Sequence, residues 1–168
     1  MAGHSGRDDS LSERVLMGLG TTNIANLKKA KEAVSKLTSP PVNASDKATL
    51  LKYITDGIPA IEKTLPPAKQ LKKDENYLRG LQKQKGSEKQ IETYAKTKMQ
   101  YRDALLKAVY KISDDMSKAA DVAVKIQKDL EKQKQDKLAK ELDNLSRDLW
   151  AISREHATFT IWKEDVVD

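Results

Sequence analysis

The sequence contains no cysteine, which excludes disulfide bridges, thiol catalysis and thiolate metal sites. Histidine is almost as scarce. The two histidines are His4 and His156, so we do not expect a metal site built from several histidines of one chain. Gly-rich phosphate loops and the Gly-x-Ser-x-Gly elbow of hydrolases are also missing. We therefore expect a protein that is not an enzyme, binds no metal or cofactor and has no small-molecule substrate.

Long hydrophobic runs are missing as well. The apolar run near the amino terminus, from Val15 to Leu19, is short, is broken by Gly18, and follows Asp8 and Asp9. That pattern does not match a secretory signal, which needs a longer apolar region after basic residues. No segment has the roughly 20 apolar residues that a membrane-spanning helix needs. The sequence identifies no compartment, and we expect a soluble protein, cytoplasmic by default.

Glycine and proline are few, at 7 and 5 of 168 residues, and segments with β-branched alternation are nearly missing. Lysine and other good helix formers are abundant, which favours helices throughout. A hydrophobic content of 38%, with 5% aromatic residues, is enough for one domain with a thin helical core. The predicted fold class is all-α: an elongated helical bundle built on a long C-terminal helical hairpin, or on one very long helix, covered by shorter N-terminal helices.

The region from Ser87 to Glu155 contains neither glycine nor proline and follows a helical period. Ser87 and Gln90 match a capping box, which predicts a helix start there. The residues that repeat at intervals of seven are Ile91, Lys98, Leu105, Ile112, Ala119 and Ile126. This heptad pattern is typical of coiled coils. Additional apolar positions beside it widen the face, which favours a bundle with more than one neighbouring helix over a two-stranded coiled coil.

A polar block at residues 131–137 interrupts this pattern, and a second apolar stripe begins at Leu138. The stripe after the block points in a different direction from the stripe before it, so the chain either turns back as a hairpin or continues as one helix with a new partner. A single helix would be about 100 Å long, and the rest of the chain is too short to cover it. We prefer the hairpin, with its tip near 133–137, although this block has no glycine.

The predicted segments, in chain order, are a disordered tail (1–9), a region of about four short helices (10–86), the long helix or hairpin (87–157) and a C-terminal tail (158–168). Residues 10–157 are expected to form one cooperative domain. Gly57 and Pro59 interrupt an apolar helical pattern that starts at Ser45, which predicts a kink or a break near 56–59.

Aromatic residues provide the candidate binding positions. Trp150 follows Leu149, which belongs to the apolar stripe, so the indole is expected to point sideways or outward. An exposed tryptophan is typical of a surface that another helix or a partner covers. Residues 158–162 are β-branched and aromatic, and either pair with a partner's sheet edge or fold back on the hairpin. The candidate partner-binding residues are Trp150, Phe159, Ile161, Trp162, Tyr94 and Tyr101, with packing inside the bundle as the alternative role.

The net charge of +6 and a pI near 9.3 are modest for a nucleic-acid-binding protein, because 31 basic residues are mixed with 25 acidic ones. Our leading hypothesis is a non-enzymatic helical protein–protein interaction module, such as an adaptor, chaperone, inhibitor or assembly protein, that binds another protein or a second copy of itself. The alternative is a membrane-engaging helical protein, or the helical part of a secreted toxin or effector, that binds anionic membranes. Electrostatic nucleic-acid binding ranks third.

Overall fold

The computed structural model describes residues 21–68, 73, 77, 80, 83–84 and 88–167, and the side chains of 94–95, 97–99, 101–102 and 158–167 fall outside this description. The predicted tail at 1–9, residues 10–20 and most of 69–86 in the predicted short-helix region, and the predicted cap at Ser87 lie outside the described residues.

Helices account for most of the described residues, which contain no strand. The helices with fully described bounds are α1 (residues 21–35), α2 (Ala44–Glu62), α3 (Glu88–Lys132) and α4 (Asp136–Val167), and residues 65–68, 73, 77 and 80 are helical as well. α3 packs against both α4 and α2, which confirms the predicted all-α class and the expectation of more than one neighbour for the long helix.

The hairpin is confirmed, since α3 ends at Lys132 and α4 begins at Asp136. Lys134 makes the reversal with a φ of 59°, the left-handed conformation that glycine usually supplies. The N–H of Lys134 donates to the carbonyl of Glu131 at 3.0 Å, and the N–H of Gln135 donates to the carbonyl of Leu130 at 2.9 Å. This pair of bonds is a Schellman motif, which caps the end of α3 without a glycine.

The main core joins all four helices. Its fully buried residues include Leu27 and Val34 of α1, Leu50, Ile54 and Ile61 of α2, Ile112, Met116, Ala119, Ala123, Ile126 and Leu130 of α3, and Leu142, Leu149 and Ile152 of α4. A second cluster of Ala68, Leu105, Leu106 and Val109 lies next to the first along α3. The alanines at central positions of α3 allow its neighbours to approach closely.

α2 differs in two ways from the sequence prediction. Its N-cap is Asn43, whose side chain accepts the N–H of Asp46 at 3.0 Å, rather than Ser45. The helix also continues through Pro59, so of the predicted kink or break it is the break that does not occur. Pro59 removes one helical hydrogen bond, but Ile54 and Ile61 on either side of it are fully buried, and this packing keeps the helix in place.

The expected C-terminal tail at 158–168 is also different, because the backbone of α4 stays helical through Val167. The β-branched and aromatic residues of this segment cost only a few tenths of a kcal/mol each in a helix, and no glycine or proline stops it. The tail predicted at 158–168 therefore continues α4 in its backbone at 158–167, and its two predicted roles, pairing with a partner's sheet edge or folding back on the hairpin, stay predictions.

Candidate functional site

Two serines join α3 and α4 by hydrogen bonds across their contact. The Ser113 hydroxyl donates to the carbonyl of Ser153 at 3.0 Å, and the Ser153 hydroxyl donates to the carbonyl of Ser113 at 2.8 Å. The two hydroxyl oxygens are 3.3 Å apart. Side chains this small let the two helix backbones approach closely. Because the helices are antiparallel, the serine pair sets their register: Met116 is level with Trp150, and Tyr110 is level with His156.

Trp150 lies on the outer side of this contact and is 37% exposed. Its neighbours in sequence on the inner side, Leu149 and Ile152, are 1% and 3% exposed. Successive residues of a helix are about 100° apart, so Trp150 lies at the edge of the buried face of α4. It is farther from the core than Ser153. The structure places the indole on the surface, as the sequence pattern predicts for a residue beside the apolar stripe.

Two arginines lie on the same side of α4 as Trp150. Arg147 is three residues before it and Arg154 four residues after it, and these spacings put all three side chains on one helix face. Both arginines are exposed. Arg147 forms an ion pair with Asp143, in which Nη2 lies 3.2 Å from Oδ2, and its side chain remains 76% exposed. We call the surface formed by Asp143, Arg147, Trp150 and Arg154 the Trp150 face.

The neighbouring edge of α3 carries Tyr110, Asp114 and Ser117, which share a helix stripe with Ser113. Tyr110 is 47% exposed, so two exposed aromatic residues flank the serine contact, one on each helix. Asp114 forms an ion pair with Lys118 at 2.8 Å, and the hydrogen bond and charge of Asp114 raise the pKa of the exposed Lys118 amine. This edge is therefore polar, with its carboxylate already paired.

Of the six residues that the sequence singled out, Trp150 is the one whose side chain the structure describes. Tyr94 and Tyr101 belong to α3, and Phe159, Ile161 and Trp162 to α4, but their side chains lie outside the described part of the chain. Their role in binding stays a prediction. Sequence reasoning missed Tyr110, which lies off the heptad positions. It also missed Arg147 and Arg154, although their spacing of three and four residues from Trp150 indicates a shared helix face.

His156 is a packing residue, 2% exposed, near the same end of the hairpin. Its Nδ1 lies 2.8 Å from the carbonyl oxygen of Ile152, so Nδ1 carries the proton and donates it. Nε2 is buried and has no hydrogen-bond partner in the described structure. Burial lowers the pKa of His156, while the backbone bond to Ile152 and the charge of Glu155 oppose this shift. The adjacent Glu155 accepts a hydrogen bond from the Asn23 amide at 2.8 Å, which ties α1 to α4.

Two open grooves lie elsewhere on the described surface. The larger, about 560 Å³, lies between α1 and α4 and is lined by Lys29, Glu32, Ala33, Lys36, Leu37, Thr38, Leu138 and Glu141. The smaller, about 360 Å³, lies beside the start of α2 and is lined by Asn43, Asp46, Lys125, Lys128, Asp129 and Lys132. Charges of both signs line each groove.

The described residues contain no group of three or more histidine and acidic side chains that could hold a metal ion. Among the helices in the described ranges, none combines the length and apolar character needed to cross a membrane. No protein-family model matches the chain, and no curated protein or solved structure is significantly similar to it. The Trp150 face is therefore interpreted from its own geometry.

Proposed function

We propose that this protein is a non-enzymatic helical protein–protein interaction module that presents the Trp150 face to a partner protein. The observation that supports the proposal is the exposure of Trp150, at 37%, on an otherwise well-packed hairpin. Tryptophan, tyrosine and arginine are the residue types most enriched at binding hot spots, and this edge of the hairpin combines all three.

The magnitude of the tryptophan contribution supports a binding role. A tryptophan buries up to roughly 250 Å². Covering the remaining exposed third at about 25 cal/mol per Å² stabilises a complex by about 2 kcal/mol. An exposed ion pair such as Arg147 with Asp143 contributes about 0.2–1 kcal/mol. The indole therefore contributes more binding free energy than any single charge on this surface, and the charges around it adjust specificity.

The scaffold also suits a binding surface. Trp150 is carried by a helix of 32 residues whose register with α3 is set by the Ser113–Ser153 contact. Residues held in this way lose little further freedom when a partner binds, which lowers the entropic cost of association. A partner can therefore bind the hairpin as a nearly rigid body.

The test begins with capture of the natural partner from the source cells on the tagged protein, followed by purification of both proteins. Trp150→Ser is compared with Lys52→Ser, an exposed substitution on α2 outside the Trp150 face. We expect the wild type and Lys52→Ser to bind the purified partner equally, and Trp150→Ser to weaken binding about 30-fold, the equivalent of about 2 kcal/mol. The melting temperature should be the same for all three.

Equal affinity of Trp150→Ser and the wild type for the purified partner would overturn the proposed contact surface. Turnover of a substrate by the isolated chain, lost when an acidic cluster is substituted, would overturn the non-enzymatic function.

A further inference from the structure

We infer that the Trp150 face binds an acidic helical segment of another protein, in which one apolar side chain lies between two carboxylates. This inference rests on the proposed function and names the class of partner that the same surface takes. Three features support it: the position of the arginines, the excess of cations over carboxylates around them and the helical spacing.

Two arginines flank Trp150 at this surface. The chain has six arginines among 31 basic residues, and the two with described side chains, Arg147 and Arg154, both flank Trp150. A guanidinium has five N–H donors in a planar fork that fits a carboxylate, and it stacks on aromatic rings. Arg147 lies 3.2 Å from Asp143 and remains 76% exposed. Exposed pairs of this kind are weak, so Arg147 can bind a partner carboxylate beside or in place of Asp143.

The cations at this surface, Arg147, Arg154 and Lys118, outnumber its two carboxylates. Asp143 is paired with Arg147, and Asp114 on the neighbouring edge of α3 is paired with Lys118 at 2.8 Å. The chain as a whole carries a net charge of +6. An acidic partner is therefore attracted at long range and meets arginine donors at contact, whereas a basic partner is repelled.

Helix geometry gives the spacing of the partner's side chains. Arg147 and Arg154 are seven residues apart, two turns, or about 10 Å along the axis, with Trp150 between them. An antiparallel partner helix matches this arrangement with an acidic residue opposite Arg154, an apolar residue four positions later opposite Trp150, and a second acidic residue three positions after that. The predicted pattern is acidic-x-x-x-apolar-x-x-acidic.

The test uses three helical peptides that share this pattern and its central leucine. The two flanking positions are glutamate in the first peptide, glutamine in the second and lysine in the third. Binding is measured by calorimetry on the wild-type chain, because Trp162 is itself a candidate binding residue, and the fluorescence of Trp150 is compared in a Trp162→Phe variant. We expect the glutamate peptide to bind at least tenfold more tightly than the glutamine peptide at low salt, and the lysine peptide to bind least. The difference should shrink as salt is added.

Substitution of both Arg147 and Arg154 by glutamine should remove the preference for the glutamate peptide and leave the affinity for the glutamine peptide unchanged. Trp150→Ser should weaken the binding of both peptides, as measured by calorimetry. Equal binding of the glutamate and glutamine peptides, lost in Trp150→Ser, would overturn the acidic partner while leaving the proposed function in place. The inference would be overturned if none of the three peptides binds. It would also be overturned if the fluorescence of Trp150 changes only with phosphatidylserine vesicles or on self-association. The proposed function is tested separately: it fails if the natural partner binds Trp150→Ser with the same affinity as the wild type.

Discussion

Ser113 and Ser153 each donate a hydroxyl hydrogen bond to the other's carbonyl oxygen, at 3.0 and 2.8 Å, across the contact between α3 and α4. Both carbonyls also belong to helical segments, so the serines connect the two backbones directly. This contact fixes the level at which Trp150 and Tyr110 appear on the outer side of the hairpin. It also gives a prediction about the stability of the hairpin.

Alanine at Ser113 or Ser153 should lower the free energy of unfolding by about 1 kcal/mol, because each substitution removes one hydrogen bond and leaves the helices in place. The double variant should lose less than the sum of the two single losses, since the pair acts as a unit. Urea unfolding of the four proteins measures both values. Strict additivity would show that the serines act independently.

Valine at Ser153 provides a contrast to alanine. Its extra bulk must separate the helices, and such overpacking costs about 1–3 kcal/mol. A loss no larger than that of Ser153→Ala would contradict the close approach of the backbones at this point.

Lys134 gives a second prediction, because a non-glycine residue occupies a left-handed conformation at a φ of 59°. Lys134→Gly should raise the free energy of unfolding by about 1 kcal/mol, since glycine adopts this conformation without the steric cost. The matched control is Lys128→Gly in the exposed interior of α3, which should lower the free energy of unfolding by about 1 kcal/mol. Destabilisation by both substitutions in urea unfolding would contradict a left-handed lysine at the hairpin turn.

His156 gives a pH dependence. Its folded-state pKa lies below the ordinary value of 6.5, because the buried ring disfavours the charged form. The unfolded state therefore takes up the proton first as the pH falls. Stability from this group is fully present above about pH 6.5 and is lost as the pH drops through the lowered folded-state pKa, with a slope of at most about 1.4 kcal/mol per pH unit.

The measurement is urea unfolding from pH 7.5 downward for the wild type and for His156→Leu, which has no titrating ring. The difference in unfolding free energy between the two proteins should be constant above pH 6.5 and should shift in favour of the leucine variant below it. A difference that does not change with pH would show that His156 titrates in the folded state as it does in the unfolded chain.

Gly57 gives a prediction about the contact between α2 and α3. A Cβ atom at this position would lie 2.8 Å from the terminal methyl carbon of Met116 and 3.3 Å from Cδ1 of Leu27. Gly57→Ala should change stability little, because a gain of about 1 kcal/mol in helix propensity offsets the displacement of the flexible Met116 side chain. Gly57→Leu should destabilise by about 3 kcal/mol, since no rotation of Met116 makes room for it.

The check on this explanation is the pair Gly57→Leu and Met116→Ala. If Met116 is the obstacle, the double variant should be more stable than the sum of the single effects predicts, because the new leucine fills the space that the methionine leaves. Simple additivity of the two losses in thermal unfolding would contradict that contact.

The sequence predicted the hairpin because residues 131–137 have no apolar side chain and the stripe changes direction across them. It could not predict the turn itself, since the left-handed residue is a lysine rather than a glycine. The break at Pro59 was predicted from local propensity alone, and burial of Ile54 and Ile61 overrode it. The β-branched residues after Ala157 did not end α4 because each costs only a few tenths of a kcal/mol in a helix and no glycine or proline stops it.

For the candidate site, the position of Trp150 beside the apolar stripe was readable from helical spacing. The Ser113–Ser153 contact was not, because hydrogen bonding between two helices depends on their register, which the whole chain sets. Tyr110 was missed for a related reason. Its position opposite His156 follows from the register of α3 against α4, whereas the sequence shows only that Tyr110 lies off the heptad pattern.

A binding role for the Trp150 face requires that Trp150 is free in the isolated protein and covered in the complex. Acrylamide quenching of the Trp162→Phe variant measures this, since the remaining fluorescence comes from Trp150 alone. We predict efficient quenching in the isolated chain, and loss of that quenching when the purified natural partner is added at saturation. An indole that acrylamide cannot reach in the isolated chain, or one that is quenched equally with and without the bound partner, would contradict the central role of the Trp150 face.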